Sequence, residues 1–216
     1  MKRGRHAAVI GCGISGLTAA AVSARCFERV TVVERNVLPE GPGFRSEVPQ
    51  SRHLHSLMGA RQRALDELLP GFTEELYEAG AVPLRTTYDH LWLSPAGWCS
   101  RFHPPSHVVP SATREPIEWI VRRRVAQIPQ VSLREGRQVR DLTVDSGRTR
   151  VTGVRASAGG SEEEIPADLV VDASGRRSRI PQWLAAMTAQ ALGTLLAERG
   201  GDVEDCAVIS TGPADR

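Results

Sequence analysis

The sequence is poor in lysine and has no closely spaced cysteine pair. Lys2 is the single lysine among the 27 basic residues of this 216-residue chain, so no mechanism that needs a lysine inside the fold is available. The four cysteines are scattered without a Cys-x-x-Cys pair, which argues against a zinc site and against a disulfide framework. We therefore predict no metal site, and we predict free thiols in the reducing environment of the cytoplasm.

The chain also lacks a charge excess and a long apolar run. Its net charge of +2 gives no reason to expect nucleic acid as a partner, and no stretch is apolar for long enough to span a bilayer. Basic residues before an apolar N-terminal run resemble a secretory signal. Glycines interrupt that run, however, and it leads into a second strand-like segment, so we assign it to the fold.

A glycine-rich turn stands between a predicted strand and a predicted helix. Ala7–Ile10 is a short apolar run typical of a buried parallel strand, and Ile14–Cys26 is alanine-rich with apolar residues at helical spacing. Val30–Glu34 is β-branched and apolar and predicts a second buried strand. Between the first two elements lies Gly-Cys-Gly-Ile-Ser-Gly at 11–16. This order predicts a βαβ unit that binds a dinucleotide.

Each residue of the turn has a physical role in that interpretation. Gly11 permits the tight turn, Gly13 lets the backbone approach a pyrophosphate, and Gly16 allows the helix to pack close to the strand. Ile14 and Ser15 open the helix, whose first N–H groups and positive dipole end attract phosphate. We therefore expect these five residues to contact the cofactor.

The acid at the end of the second strand supports the same interpretation. A carboxylate at Glu34 can accept hydrogen bonds from the hydroxyls of an adenosine ribose. NAD uses the same unit, but a short-chain dehydrogenase needs a tyrosine with a lysine four residues later. Tyr77 and Tyr88 have no such partner, because no lysine follows Lys2. The remaining structural alternative is a glycine-rich turn in an unrelated α/β protein.

The rest of the chain predicts a mixed set of elements. Ser56 is a candidate N-cap for a helix that ends near Leu69, and the aromatic-rich part of the chain has strand candidates at Thr86–Leu93 and Trp98–His103. Further predicted elements are a helix at Glu115–Gln127, strands at Val131–Glu135, Gln138–Val144 and Arg148–Ala156, a polar tip at Gly159–Glu164, and a strand at Asp168–Asp172. The arginine run at 122–124 predicts a solvated helix face.

From Ala7 to Arg35 the chain resembles FAD-dependent monooxygenases of the aromatic-hydroxylase type. The matching residues are Gly11, Gly13, Gly16, Leu17, Ala20, Val32, Glu34 and Arg35. Segments Gln50–His55, Ser111–Trp119 and Asp168–Arg179 extend the resemblance over most of residues 7–184. The resemblance implies FAD as the cofactor.

The same resemblance implies roles for individual residues. Glu34 corresponds to the acid that binds the adenosine ribose, and Arg35 to an arginine near the adenine. Arg114 corresponds to an arginine that precedes a helix beside the flavin; the alternative is a surface arginine near a helix start. Gly175 lies in the second flavin motif, where the chain returns to the cofactor after a three-stranded excursion.

Two features depart from the family pattern. Ser174 stands where aromatic hydroxylases usually have an aspartate linked to NAD(P)H use, so we expect NAD(P)H to reduce the flavin slowly or not at all. The third family motif, a strand ending in Gly-Asp, has no counterpart, since Gly201-Asp202 follows a helical segment. The sequence therefore predicts a truncated or internally deleted member of this family. The two segments that flank the deletion would join near Leu184–Met187, and a helix would begin at Met187. The alternative is an ordinary C-terminal helix.

Together these features predict an α/β fold with a Rossmann-type parallel sheet and a short antiparallel excursion. Residues 1–184 are predicted to form an FAD-binding domain with a partial substrate-side segment at about 83–113, and 185–216 a C-terminal helix and tail. The predicted function is an FAD-dependent oxidoreductase of the monooxygenase type that acts on a small organic substrate. The alternative is a non-catalytic FAD-binding fragment. Neither a catalytic side chain nor an oligomeric state is specified.

Overall fold

A computed structural model describes residues 4–45 and 53–188. In chain order the elements are β1 (Gly4–Ile10), α1 (Ile14–Cys26), β2 (Phe27–Val33), β3 (Leu54–Ser56), α2 (Gly59–Leu68), α3 (Phe72–Glu78), β4 (Val82–Arg85), β5 (Leu93–Ser94), β6 (Gly97–Trp98), β7 (Val108–Thr113), α4 (Arg114–Ala126), β8 (Val131–Arg134), β9 (Gln138–Val144), β10 (Val151–Ala158), β11 (Ser161–Pro166) and β12 (Leu169–Asp172). A 3₁₀ turn follows at Gly175–Arg177, and residues 180–188 are helical.

A four-stranded parallel sheet in the order β12-β1-β2-β8 forms the centre of the fold. Successive residues of β1 point to opposite faces of this sheet, as in any strand. Ala7 and Val9 join the apolar cluster that contains α1 and α4. Ala8 and Ile10 join a second cluster with residues of β9, β10 and β11. Because both faces are covered, β1 is apolar without alternation.

The remaining strands are antiparallel and lie outside the parallel sheet. β11, β10 and β9 form one three-stranded sheet, β3, β7 and β4 form another, and β5 pairs with β6. The predicted α/β fold, with a Rossmann-type parallel sheet and an antiparallel excursion, is therefore confirmed.

Two predictions around the second antiparallel sheet are wrong. Ser56 does not cap a helix but ends β3, where it pairs with Ser111 of β7, and α2 begins at Gly59. Thr86–Leu93 does not form a strand, because the backbone N–H groups of Tyr88 and Asp89 donate to the carbonyl oxygen of Arg85 in a turn. The strands that form instead are β3 and β4, because each of them pairs with β7. The local sequence does not reveal this pairing.

The segment predicted as a polar tip at Gly159–Glu164 includes the first four residues of β11, which extends from Ser161 to Pro166. Gly159 and Gly160 have φ angles of +56° and +88° and form the two-residue loop between Ala158 and Ser161, which pair directly. Positive φ at both loop residues is the requirement of a tight hairpin turn, and glycine meets it without strain. The strand predicted at Val131–Glu135 is β8 of the parallel sheet, so β9, β10 and β11 make up the excursion.

The C-terminal prediction is only partly within the described residues. Residues 180–188 form one continuous helical stretch, so Met187 lies inside a helix and does not begin one. The rest of the predicted 185–216 segment lies outside the described residues. Among residues 4–45 and 53–188, none of the helices combines the length and the hydrophobicity of a membrane-spanning segment.

Candidate dinucleotide-binding site

The glycine turn lies at the carboxyl ends of β1 and β12. From β1 the chain proceeds to β2 on one side, whereas β12 lies on the other side of β1, so the strand order reverses between β1 and β12. The backbone N–H of Gly11 donates to Val33 at 2.8 Å, and that of Ala173 donates to Ile10 at 2.8 Å. The turns after β1 and β12 are thereby held side by side. In open α/β sheets, ligands bind at such a switch point.

The three glycines of the turn meet different surroundings. Gly11 has a φ of +97°, and a Cβ built there would lie 2.7 Å from the carbonyl oxygen of Ala173. A Cβ at Gly16 would lie 1.9 Å from the carbonyl oxygen of Gly11. At Gly13, by contrast, no heavy atom of the described residues lies within 4 Å of a Cβ. Gly11 and Gly16 are thus required by the fold, whereas Gly13 borders open space.

The first turn of α1 opens onto this space. Gly13 is its N-cap, and no side chain caps the helix there. The N–H groups at Ile14, Ser15 and Gly16 have no partner within the helix, since the first four donors of any α-helix lack one. Together with the helix dipole they favour an anion. Gly13, Ile14 and Ser15 are therefore brought together as the sequence predicts, next to Gly11 and Gly16.

Glu34 follows β2 and is 6% exposed. Its carboxylate accepts the backbone N–H groups of Cys12 at 2.8 Å and Asn36 at 3.1 Å. Nη2 of Arg45 lies 3.5 Å from Oε2 of Glu34. Burial, reinforced by the charge of Glu34, raises the pKa of the Cys12 thiol to about 12, so Cys12 is no nucleophile at neutral pH. Sequence reasoning identified Glu34 but not its part in holding the turn.

A buried group of charges that sequence reasoning missed extends from Glu34 to α4. Arg45, 8% exposed, donates to the carbonyl oxygen of Cys12 at 3.2 Å and to Oε1 of Glu118. Oε2 of Glu118 accepts a hydrogen bond from Nε of Arg114 at 3.3 Å. Burial by itself would lower the pKa of Arg45, but its hydrogen bond to Glu118 and the charge of that group raise it. Arg45 therefore stays cationic, and Arg114 is tied to the glycine turn through two other side chains.

Arg122 does not lie on a solvated helix face. It is 5% exposed, donates to the carbonyl oxygen of Pro39, and lies over the Trp119 ring at 5.2 Å from the ring centre. Arg114, Glu118 and Arg122 are spaced by four residues, which puts them on the same face of a helix. The spacing shows that they share a face but not that the face is buried, because charged residues at the same spacing also form solvated faces.

The turn after β12 lies beside the glycine turn, and the two turns border a crevice at the carboxyl ends of β1 and β12. Asp172 accepts hydrogen bonds from the backbone N–H of Ser174 at 2.9 Å and from the hydroxyl of Ser178. Gly175 follows with a φ of +83°, and no described heavy atom lies within 4 Å of a Cβ built there. A Cβ at Gly11 would lie 3.1 Å from the Cα of Ser174, so the second motif adjoins the glycine turn.

Arg35 has different neighbours from the other predicted residues. It is exposed and lines a cleft of about 670 Å³ beside the antiparallel sheet. Gln138 and Arg140 of β9 and Ser157 of β10 line the same cleft. Arg35 and Asn36 follow Glu34 in the chain, so the cleft lies between the end of β2 and the excursion.

Comparison with known proteins agrees with this architecture. Protein Rv3254 of Mycobacterium tuberculosis is 40% identical over 190 residues, which cover 83% of this chain and 40% of that protein. The myxobacterial chondrochloren halogenase CndH, described as a variant of FAD-dependent halogenases, is 24% identical with a TM-score of 0.60 over 82% of this chain and 38% of its own. The p-nitrophenol 4-monooxygenase PnpA from Pseudomonas putida is 19% identical with a TM-score of 0.59 over 85% of this chain and 44% of its own.

No family model matches the chain. The chain spans less than half the length of each of these three proteins. The structural likeness covers 82% and 85% of this chain, and it confirms at the level of the fold the resemblance predicted from the sequence. The chain therefore has the FAD-binding Rossmann-type fold of FAD-dependent monooxygenases and halogenases.

Proposed function

We propose that the domain predicted at 1–184 binds FAD in the crevice outside the carboxyl ends of β1 and β12, between the turns that follow these two strands. The observation that carries the proposal is the difference among the glycines: Gly11 and Gly16 are required by close backbone contacts, whereas Gly13 borders open space at the first turn of α1. A glycine without a packing requirement at a helix N-terminus suits the close approach of a pyrophosphate.

The neighbouring groups suit the rest of the cofactor. Oε1 of Glu34 accepts one described backbone N–H, and a carboxylate oxygen has a second acceptor site for a ribose hydroxyl. Arg35 lines the adjoining cleft, which suits an adenine. Arg114 and Gly175 extend the proposed contacts toward the flavin half. The monooxygenase PieE, whose structure was determined with FAD and substrate, has a TM-score of 0.58 to this chain at 20% identity.

We further propose that the protein is an FAD-dependent oxidoreductase of the monooxygenase type and that it acts on a small organic substrate. Bound FAD supplies the redox chemistry in such proteins, and the protein supplies binding, orientation and exclusion of water. We assign no catalytic side chain. The second candidate is a non-catalytic FAD-binding unit. It is supported by the third family motif, which has no counterpart within residues 1–216.

Titration calorimetry with FAD and with NAD tests the cofactor proposal, with Gly13→Val as the binding variant and Gly41→Ala as its control. A Cβ at Gly41 also meets no described atom within 4 Å, but Gly41 lies outside the turn. We expect FAD to bind more tightly than NAD, and only Gly13→Val to abolish binding. Tighter binding of NAD would overturn the cofactor assignment. Incorporation of isotopically labelled oxygen into a panel of small aromatic substrates by the FAD-loaded, chemically reduced protein then separates a monooxygenase from an inert FAD carrier, because reduced flavin by itself consumes oxygen without oxygenating a substrate.

A further inference from the structure

We propose that two copies of this chain associate through the β5–β6 hairpin, where five exposed apolar side chains form the centre of the contact. These side chains are called the hairpin patch and belong to Leu91, Trp92, Leu93, Trp98 and Phe102. The inference goes beyond the proposed function and does not depend on FAD, because none of these residues is assigned to the dinucleotide site.

The hairpin patch exposes large apolar side chains that are close together in the chain. They are 62–68% exposed, and all of them lie within residues 91–102. A single exposed leucine is ordinary on a protein surface, whereas a group of large apolar side chains marks a place of interaction. Two of the four tryptophans of the chain belong to the patch, and tryptophan is among the residues that contribute most to binding at interfaces.

The exposed side chains lie on both faces of the hairpin. Leu93 pairs directly with Trp98, so their side chains adjoin on one face. The carbonyl oxygen of Trp92 accepts the backbone N–H of Cys99 at 2.8 Å. This bond continues the pairing by one residue, and the alternation of side chains along a strand directs Trp92 to the opposite face. A two-stranded hairpin is only marginally stable in water unless something packs against it, so a partner that covers these faces stabilises the hairpin.

The charge pattern of the hairpin suits an identical partner. Residues 90–100 contain no Asp, Glu, Lys or Arg. At the base of the hairpin, Arg85 pairs with Asp89 at 2.6 Å, and Arg101 lies 5.9 Å from the centre of the Tyr88 ring. In a two-fold contact the same surface faces itself, so a charge near the axis meets its own copy. An uncharged apolar hairpin avoids that repulsion and is complementary to itself.

The area of the hairpin patch suits the centre of a dimer interface. Each of its three aromatic side chains presents about 100–170 Å², which is two-thirds of the roughly 150–250 Å² that such a side chain buries when it is covered. The three together therefore present about 300–500 Å², and the two leucines add to that area. A standard interface takes about 800 Å² from each partner and has an apolar centre with a polar rim. The patch supplies the centre, and the polar residues around the hairpin supply the rim.

Sedimentation velocity of the full chain without cofactor, from micromolar to submillimolar concentration, tests the proposal. Trp98→Glu places a charge in the hairpin patch, whereas Trp98→Phe keeps the position aromatic and apolar. Val22→Ser is the control, because Val22 is a 52% exposed apolar residue of α1 and lies outside the patch. Tryptophan emission reports burial of the hairpin, and circular dichroism with a thermal melt reports whether each variant is folded.

We expect the unaltered chain to convert reversibly from monomer to dimer as its concentration rises, with a shift of tryptophan emission to shorter wavelength. Trp98→Glu should weaken the dimer by roughly thirtyfold or more, as for the loss of a central interface tryptophan. Trp98→Phe and Val22→Ser should associate nearly as tightly as the unaltered chain. Should Trp98→Glu fail to fold, Leu93→Ser, which changes the residue paired with Trp98, should also weaken the dimer.

Three results would overturn the inference. A monomer at every concentration would show that no second copy occupies the hairpin patch, and uptake of an apolar dye by that monomer, lost in Trp98→Glu, would assign the patch to another apolar occupant. A dimer that persists unchanged in folded Trp98→Glu and Leu93→Ser would place the interface elsewhere. Assemblies that grow beyond the dimer would show an open, non-specific contact. None of these results bears on FAD binding, because the measurement uses no cofactor.

Discussion

The carboxylate of Glu34 accepts the backbone N–H of Cys12 at 2.8 Å, and this bond joins the acid after β2 to the glycine turn after β1. The two features that identify a dinucleotide site in the sequence are thus one structural unit. Glu34 holds the turn in shape through Oε2 and keeps an acceptor site on Oε1. Substitution at Glu34 therefore affects stability and binding together.

Glu34→Ala is expected to lower the free energy of unfolding by about 1–3 kcal/mol, because it leaves the buried N–H of Cys12 without its acceptor and removes one of the two carboxylates beside Arg45. It should also weaken FAD binding. Glu34→Gln should have a smaller effect on stability, since the amide oxygen still accepts one bond. Urea denaturation checks the first effect and calorimetry the second, with Glu40→Ala, an exposed acid in the following loop, as control. Unchanged stability of Glu34→Ala would contradict the role of the Cys12 bond.

Gly13→Ala and Gly16→Ala should separate binding from folding. A Cβ at Gly16 meets the carbonyl oxygen of Gly11 at 1.9 Å, so Gly16→Ala should be destabilised by about 1–3 kcal/mol, as for an overpacked core. Gly13 has a φ of −80° that alanine adopts readily, so Gly13→Ala should lose about 1 kcal/mol or less, as for an alanine at an N-cap.

Despite its stability, Gly13→Ala should bind FAD much more weakly, because its methyl group would occupy the space that we propose for the pyrophosphate. Thermal melts and FAD titrations of both variants check this pair, and Gly41→Ala is the control for a neutral glycine substitution. Normal FAD binding by Gly13→Ala would show that the pyrophosphate does not approach this residue.

His6 should make the stability of the protein depend on pH. It is 5% exposed, and Nε2 lies 2.8 Å from Oγ1 of Thr31. Nδ1 contacts the carbonyl oxygen of Pro166, which can only accept, and lies 3.2 Å from Nη2 of Arg29, which can only donate. Burial, with the nearby charge of Arg29, lowers the pKa of His6 from its usual 6.5.

Because the pKa of His6 is lower in the folded protein, the unfolded chain takes up a proton first as the pH falls. The contribution of His6 to stability is therefore complete above pH 6.5 and declines as the pH falls from there to the pKa of the folded state. Urea denaturation between about pH 8 and about pH 5 measures this slope. His6→Gln, which retains a donor and an acceptor, should show a smaller slope; an equal slope would assign the pH dependence to other groups.

NADPH should reduce the FAD-loaded protein slowly or not at all. Ser174 stands where the aromatic hydroxylases that the sequence resembles have an aspartate, and its backbone N–H and hydroxyl are both bonded to Asp172. Anaerobic mixing with NADPH, followed by absorbance of the oxidised flavin, measures the rate, and dithionite serves as the reductant control. Rapid bleaching by NADPH would refute this expectation.

The local features of the site could be predicted from the sequence because short-range patterns determine them. The helix predicted at Ile14–Cys26 and the strand predicted at Gln138–Val144 have those bounds in the structure. Spacing of glycines decides where a chain can turn tightly, and a run of apolar residues decides which strand is buried on both faces. The turn, α1 and the acid after β2 follow from such patterns alone.

The strand partners and the buried charges depended on tertiary structure. Ser56 was predicted to cap a helix, yet pairing with Ser111 places it in a strand, since a partner 55 residues away leaves no local signal. Arg45 and Glu118 are separated by 73 residues, and neither is distinguishable in the sequence from a solvated surface charge. Whether a charged side chain is buried depends on what packs over it. Once it is buried, its electrostatic interactions are stronger, because the protein around it screens them less than water does. The sequence by itself therefore determined the glycine turn and its acid. Only the packing of α4, and of the loop that follows Glu34, against that turn decided which arginines lie beside it.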